Sequence, residues 1–267
     1  MWRFLALFVA LVVGVGAAIW YYRTPEIRNV VRVARNDDRW IDDLQSRSPK
    51  EAGAAAAEVE QLGTAALPLI RKTLQDPGAD PLRRKAALKA CGILGARAAE
   101  AIPDVALLLQ DAQYTPEAAL ALSFMGSAAV APLREASGSE EANVRREALR
   151  SLGKLRERAS IDPQLVIPQL LHALEDPDAS VRHVAVTYLG IVRDNPGDEV
   201  RGLIKALGDD EADVRAAAAV ALGQYGARAE PAVPALRKAA RDPDEDVQRE
   251  AGRALVTIAE KKKPSAL

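Results

Sequence analysis

Seven times the chain places an alanine four residues into the same apolar stripe, and this repetition limits its fold more than any other feature. The copies start at Glu51, Arg83, Tyr114, Val144, Val181, Val214 and Val247, at spacings between 30 and 37 residues. Their alanines are Ala55, Ala87, Ala118, Ala148, Ala185, Ala218 and Ala251. Eight residues in stand Val59, Cys91, Leu122, Leu152, Leu189, Leu222 and Leu255; eleven in stand Leu62, Leu94, Met125, Leu155, Val192, Tyr225 and Ile258. At about 100° per residue, offsets 0, 4, 8 and 11 fall within roughly 80° of one another, one buried stripe on a helix. Alanine at a fixed point of that stripe predicts close approach of a second helix. A helix of this length with one apolar side cannot bury it alone, so the copies are expected to stack.

A second helix precedes each of these. Its mark is an apolar residue followed by proline: Leu67-Pro68, Ile102-Pro103, Ala131-Pro132, Ile167-Pro168 and Val233-Pro234. Proline suits a first helical turn, where its missing N–H has no intrahelical acceptor. Acidic turns join the two helices, as in Asp176-Pro177-Asp178, Asp209-Asp210 and Asp242-Pro243-Asp244, where Asp and Pro stop one helix and cap the next. Two first helices are expected without proline, over Glu199–Leu207 and Asp38–Gln45; in the latter, Trp40, Ile41 and Leu44 are expected to cover an end of the stack.

The apolar-Pro pair, the D-P-D turn and V-R-x-x-A-x-x-x-L-G in the second helix resemble the HEAT-repeat family, in the short form named after phycobilisome lyase subunits. The resemblance covers residues 38–260 as about seven helix pairs and is closest in the last four; Glu51 and Tyr114 replace Val, and Glu60 and Ser123 replace Gly, in units one and three. It implies an all-α solenoid with the Pro-bearing helices on the convex side and the alanine-stripe helices on the concave side. It also implies that Arg145, Arg182 and Arg215 pair with turn aspartates of neighbouring repeats. The composition agrees: 49% hydrophobic but 4% aromatic, so the core is aliphatic and alanine-rich.

Ahead of the repeats, Phe4–Tyr22 runs 19 residues without a charge between Arg3 and Arg23. That length just crosses a hydrocarbon core of about 30 Å, and Trp2 at one end with Trp20, Tyr21 and Tyr22 at the other suit two headgroup regions. A single-pass anchor over residues 1–22 is expected. The alternative is a cleaved export signal with Gly16-Ala17-Ala18 as its small-residue site. Arg23, Arg28, Arg32, Arg35 and Arg39 follow the run, a charge count that favours a cytoplasmic C-terminal body. Residues 23–37 read as a basic juxtamembrane linker, either a helix running into the first repeat or a basic stripe on anionic headgroups. Residues 261–267 read as a basic tail.

Little in the sequence points to catalysis. Net charge is −1, from 36 basic and 37 acidic residues, which gives no global signal for nucleic acid. His172 and His183 fall outside the apolar stripes and in different helix layers, away from metal-ligand spacing; Cys91 occupies a core leucine position. No catalytic residue, metal or cofactor is expected. A lyase-like enzyme subunit is the alternative implied by the family's name, and a nucleic-acid-binding solenoid, resting on Arg145, Arg146, Arg150, Lys154, Arg156 and Arg158, is the weaker one. The expected function is protein binding at a membrane. Offsets 2 and 6 of each alanine-stripe helix lie opposite the core, and they supply the candidate partner-binding residues Lys85, Lys89, Leu120, Arg146, Arg150, His183, Val220, Arg249 and Arg253. Basic pairs separated by small or apolar ones point to an extended acidic segment as the partner.

Overall fold

The computed structural model describes residues 38–158, 161–194 and 196–262, and the expected anchor and linker lie outside them. All regular structure among the described residues is helical. The described residues hold fourteen α-helices, and the chain divides into two compact units, Met1–Val105 and Ala106–Leu267.

In the first unit, α1 (Arg39–Asp43) precedes α2 (Pro49–Leu62), and α3 (Leu67–Gln75) precedes α4 (Pro81–Leu94). Helix α1 packs on α2 and α4, with Trp40, Ile41 and Leu44 buried as expected. Arg83 fixes it from α4 by ion pairs to Asp38 and Asp42, and Lys89 donates to the carbonyl of Leu44 at 2.8 Å. The division between the units falls within α5 (Ile102–Leu109).

The second unit contains α6 (Thr115–Leu122), α7 (Val130–Ala136), α8 (Ala142–Arg158), α9 (Ile167–Ala173) and α10 (Ala179–Val192). It continues with α11 (Pro196–Ala206), α12 (Ala212–Tyr225), α13 (Val233–Ala239) and α14 (Glu245–Lys262). The alanine-stripe helices α6, α8, α10, α12 and α14 pack on one another in succession. Each of α7, α9, α11 and α13 packs on the stripe helix that follows it, so the unit has two layers.

The stripe register is as the sequence predicts. All seven alanines are buried, and so are Val59, Cys91, Leu122, Leu152, Leu189 and Leu222 at the next position. Small residues bring the helices close. An added Cβ at Gly153 would stand 2.0 Å from the Tyr188 ring, and one at Gly190 would stand 2.9 Å from the Ala221 Cβ. Proline opens α3, α9 and α13. Helix α11 departs from expectation: it starts at Pro196, three residues before Glu199, so this pair has its proline after all. Glu199 is then a first-turn residue, fully buried, and takes a hydrogen bond from the Tyr225 hydroxyl.

Asp178 and Asp244 cap as expected, accepting from Ser180 N–H at 2.8 Å and from Asp246 N–H at 3.0 Å. At the Asp209-Asp210 turn the residue before α12 is Glu211, whose side chain makes no cap. The stops of the stripe helices were not read in the sequence. In α2, α4, α10 and α12 they fall twelve residues in, where Gly63, Gly95 and Gly226 adopt φ of 57°, 59° and 57°, a conformation that costs a residue with a Cβ but not glycine. Arg193 takes the same place at φ 47°, and its guanidinium donates to the Gln224 carbonyl at 3.0 Å.

Candidate functional site: the exposed face of the alanine-stripe helices

Three arginines tie the second unit together one repeat at a time. Arg145 donates from Nε and Nη2 to both carboxylate oxygens of Asp176, at 2.7 and 2.7 Å. Arg182 grips Asp209 at 2.7 and 2.8 Å, and Arg215 grips Asp242 at 2.9 and 2.9 Å. Each also donates from Nη1 to carbonyls of its own turn, as Arg215 does to Asp209 and Asp210 at 2.8 and 2.9 Å. The planar fork thus joins one turn to the next. Burial alone would raise the Asp176 and Asp209 carboxyls, but guanidinium and backbone N–H bonds outweigh it and hold them below the ordinary value. Asp242 is lowered by Arg215 first. This ladder is the pairing implied by the resemblance, and it sets how the stripe helices present their other side.

That other side carries the expected residues. In the first unit Lys89 is exposed and Lys85 half-buried, both on α4. In the second unit Leu120 and Val220 are 47% and 41% exposed; His183, Arg249 and Arg253 are exposed, and Arg146 and Arg150 half-exposed. The helix order places them as columns across α6, α8, α10, α12 and α14. A groove of about 430 Å³ runs over α10, α12 and α14, and Ala216, Ala217, Val220, His183 and Arg249 are among the residues that line it.

The basic pairs carry partners of their own. Glu147, mostly buried, lies between Arg146 and Arg150 at 3.2 and 3.3 Å. Glu250 lies between Arg249 and Arg253 at 3.1 and 2.9 Å, and Arg249 pairs with Asp246 as well. Asp246, then Glu250, raise the Arg249 guanidinium above its ordinary value. Both pairs share the spelling Arg-Glu-x-x-Arg, so the intervening acid was visible as a sequence neighbour. A further residue escaped the sequence reading. Phe124, ten residues into its stripe, is 41% exposed, with the Arg158 guanidinium 4.0 Å from its ring centroid.

The remaining candidates for chemistry are set apart. His172 is exposed on α9, in the other layer from His183. Among the described residues no group of three or more His, Cys, Asp or Glu is placed to hold a metal. Cys91 is fully buried, and burial, with the Asp104 charge adding, pushes its thiol up to about 12, where almost no thiolate forms at neutral pH.

The HEAT-repeat family model matches the chain twice, over residues 139–200 and 200–267. No curated protein matches it in sequence. Among solved structures, Kap121p is 15% identical with a TM-score of 0.62, covering 88% of this chain and 30% of its own. Kap95p, which binds RanGDP, is 14% identical with a TM-score of 0.56, covering 90% and 38%. A designed armadillo repeat protein in complex with the peptide (KR)4 is 21% identical with a TM-score of 0.50, covering 72% and 99%. At these identities the likeness is one of fold, an all-helical repeat solenoid.

Proposed function

We propose that this chain, whose residues 139–267 belong to the HEAT-repeat family, is a membrane-anchored scaffold that binds a protein partner on the exposed face of its alanine-stripe helices. One observation carries the reading. Outward positions of five successive stripe helices form one continuous layer in the second unit, and large apolar side chains there, Leu120 and Val220, are left uncovered among charged ones. The Kap95p and designed armadillo structures are of proteins that bind a protein and a peptide, which supports the same use of the fold here.

The anchor rests on the sequence of Phe4–Tyr22; among the described residues no helix is long and apolar enough to cross a membrane. In this layout residues 1–22 hold the membrane, 23–37 form the linker, 38–260 the repeats and 261–267 a basic tail, with the body on the side favoured by Arg23, Arg28, Arg32, Arg35 and Arg39. The partner segment is extended and acidic, and no catalytic step is assigned to the chain.

Full-length protein should remain with membranes through a carbonate wash, and partners captured there should depend on the proposed face. Arg146→Glu with Arg150→Glu should weaken capture by at least about 1–2 kcal/mol, without loss of helicity. The same reversal at exposed Arg237 and Lys238 on α13 should change it by under about 0.5 kcal/mol. Release by carbonate would remove the anchor from the account; equal losses from both layers would remove the face.

A further inference from the structure

The second unit's stripe face is uneven in charge, and this narrows where an acidic partner can sit. Over α10, α12 and α14, the groove is lined by three carboxylates, Asp213, Asp246 and Glu250, against one guanidinium, Arg249. Arg253, next to it, is held by Glu250. The Arg249/Arg253 pair therefore offers an acidic segment little attraction.

The strip along α6 and α8 is different. Ser151 on α8 donates to the Ala119 carbonyl on α6 at 2.8 Å, and Arg158 donates to the Ser123 hydroxyl at 3.0 Å. The exposed residues that follow Ala119 and Ser123 are Leu120, on α6, and Phe124, in the turn just past the end of that helix. On the neighbouring α8, Arg150 and Lys154 are half-exposed and Arg158 exposed, the last with its guanidinium over the Phe124 ring; the helix's carboxylates are Glu147, mostly buried, and the exposed Glu157 near its end. Two large exposed apolar side chains four residues apart, next to a helix whose exposed positions carry cations, match an amphipathic segment with apolar residues on one side and carboxylates beside them.

We propose that the α6–α8 strip is the docking site for an acidic amphipathic segment of a partner protein, with its apolar residues on Leu120 and Phe124 and its carboxylates on Arg150 and Lys154. This rests on the reading of the stripe face as the binding surface, and it excludes the Arg249/Arg253 pair from that contact. The Phe124 ring already carries the Arg158 guanidinium, 4.0 Å from its centroid.

The test uses the full-length chain in phosphatidylcholine nanodiscs, with empty discs subtracted. The probe is a fluorescein-labelled peptide of leucines at every fourth position separated by glutamates, followed by fluorescence anisotropy. The peptide is expected to bind. Exchanging its glutamates for lysine, or its leucines for serine, should weaken binding at least about tenfold. Arg150→Glu with Lys154→Glu, and separately Leu120→Ser with Phe124→Ser, should each do the same at unchanged helicity. Both members of the first pair are surface charges, so it stays informative if the second pair disturbs folding. Arg249→Glu with Arg253→Glu should change binding by less than about twofold, since that pair sits on α14, three stripe helices along the stack from α8 and beyond the reach of screened charge. No binding of the parent peptide, or equal losses from the Arg150/Lys154 and Arg249/Arg253 reversals, would overturn the proposal. In either case, capture of a cellular partner from this face would leave the broader reading standing.

Discussion

Replacing Asp209 by alanine is expected to lower the stability of the second unit by about 2–4 kcal/mol at pH 7, because it leaves a largely buried guanidinium without its carboxylate. The Asp209 and Arg182 side chains are 9% and 15% exposed, and the carboxylate also accepts from the Glu211 N–H at 3.0 Å. Arg182 would retain its bonds to the Asp176 and Pro177 carbonyls, at 2.9 and 3.2 Å, which moderates the loss. The effect has a pH signature. Asp176, Asp209 and Asp242 all have carboxyls below their ordinary value. Their contribution is fully present above the unfolded carboxyl range, near pH 4, and is lost as pH falls through the lower folded values. Urea titrations should therefore show a wide gap between wild type and Asp209→Ala at pH 7 and a narrower one at pH 3. An equal gap at both would mean that the ladder's charge contributes nothing.

The second expectation is a pair of glycine substitutions with opposite signs. Gly190 on α10 faces α12, where an added Cβ would come within 2.7 Å of the Gln224 side chain, 2.9 Å of the Ala221 Cβ and 3.0 Å of the Ala221 Cα. The last contact is with backbone, so relief requires the two helices to part, and Gly190→Ala should destabilise by about 1–3 kcal/mol. Gly252 lies inside α14, where a Cβ would meet nothing within 4 Å. There the helix gains only from alanine's lower conformational freedom when unfolded, and Gly252→Ala should stabilise by about 0.5–1 kcal/mol. Thermal unfolding by circular dichroism checks both; a common sign would contradict the packing described for the stripe layer.

The stripe was legible because its period is a property of one helix. Alanine four residues in, repeated from Ala55 to Ala251, predicts the helix face and the close approach, and all seven are buried. The outward placement of His183 follows from the same arithmetic. What escaped depends on relations that a stripe does not encode. Pro196 opens α11 three residues ahead of the expected start, and Glu199 is buried because a tyrosine, Tyr225, replaces an aliphatic residue on the neighbouring stripe and supplies a hydroxyl. The charge of the exposed face was overcounted. Offsets 2 and 6 select Arg249 and Arg253 but pass over Glu250, at the stripe's flank, which pairs with both, and exposed Asp246, just before the stripe's start, which pairs with Arg249. Phe124 escaped for a similar reason, since offset 10 also points outward, yet the other second-unit copies carry Lys154, Ile191, Gln224 and Thr257 there.

The two layers can be compared directly by placing one photocrosslinking residue at His183, on the stripe face, and another at Arg237, on α13, in otherwise unchanged full-length protein. Both positions are exposed, so both probes are free to react. After illumination in intact membranes, the account predicts a discrete partner protein crosslinked from position 183 and little or none from position 237. Capture of the same protein with equal yield from both, or from position 237 alone, would contradict the assignment of the alanine-stripe face as the binding surface.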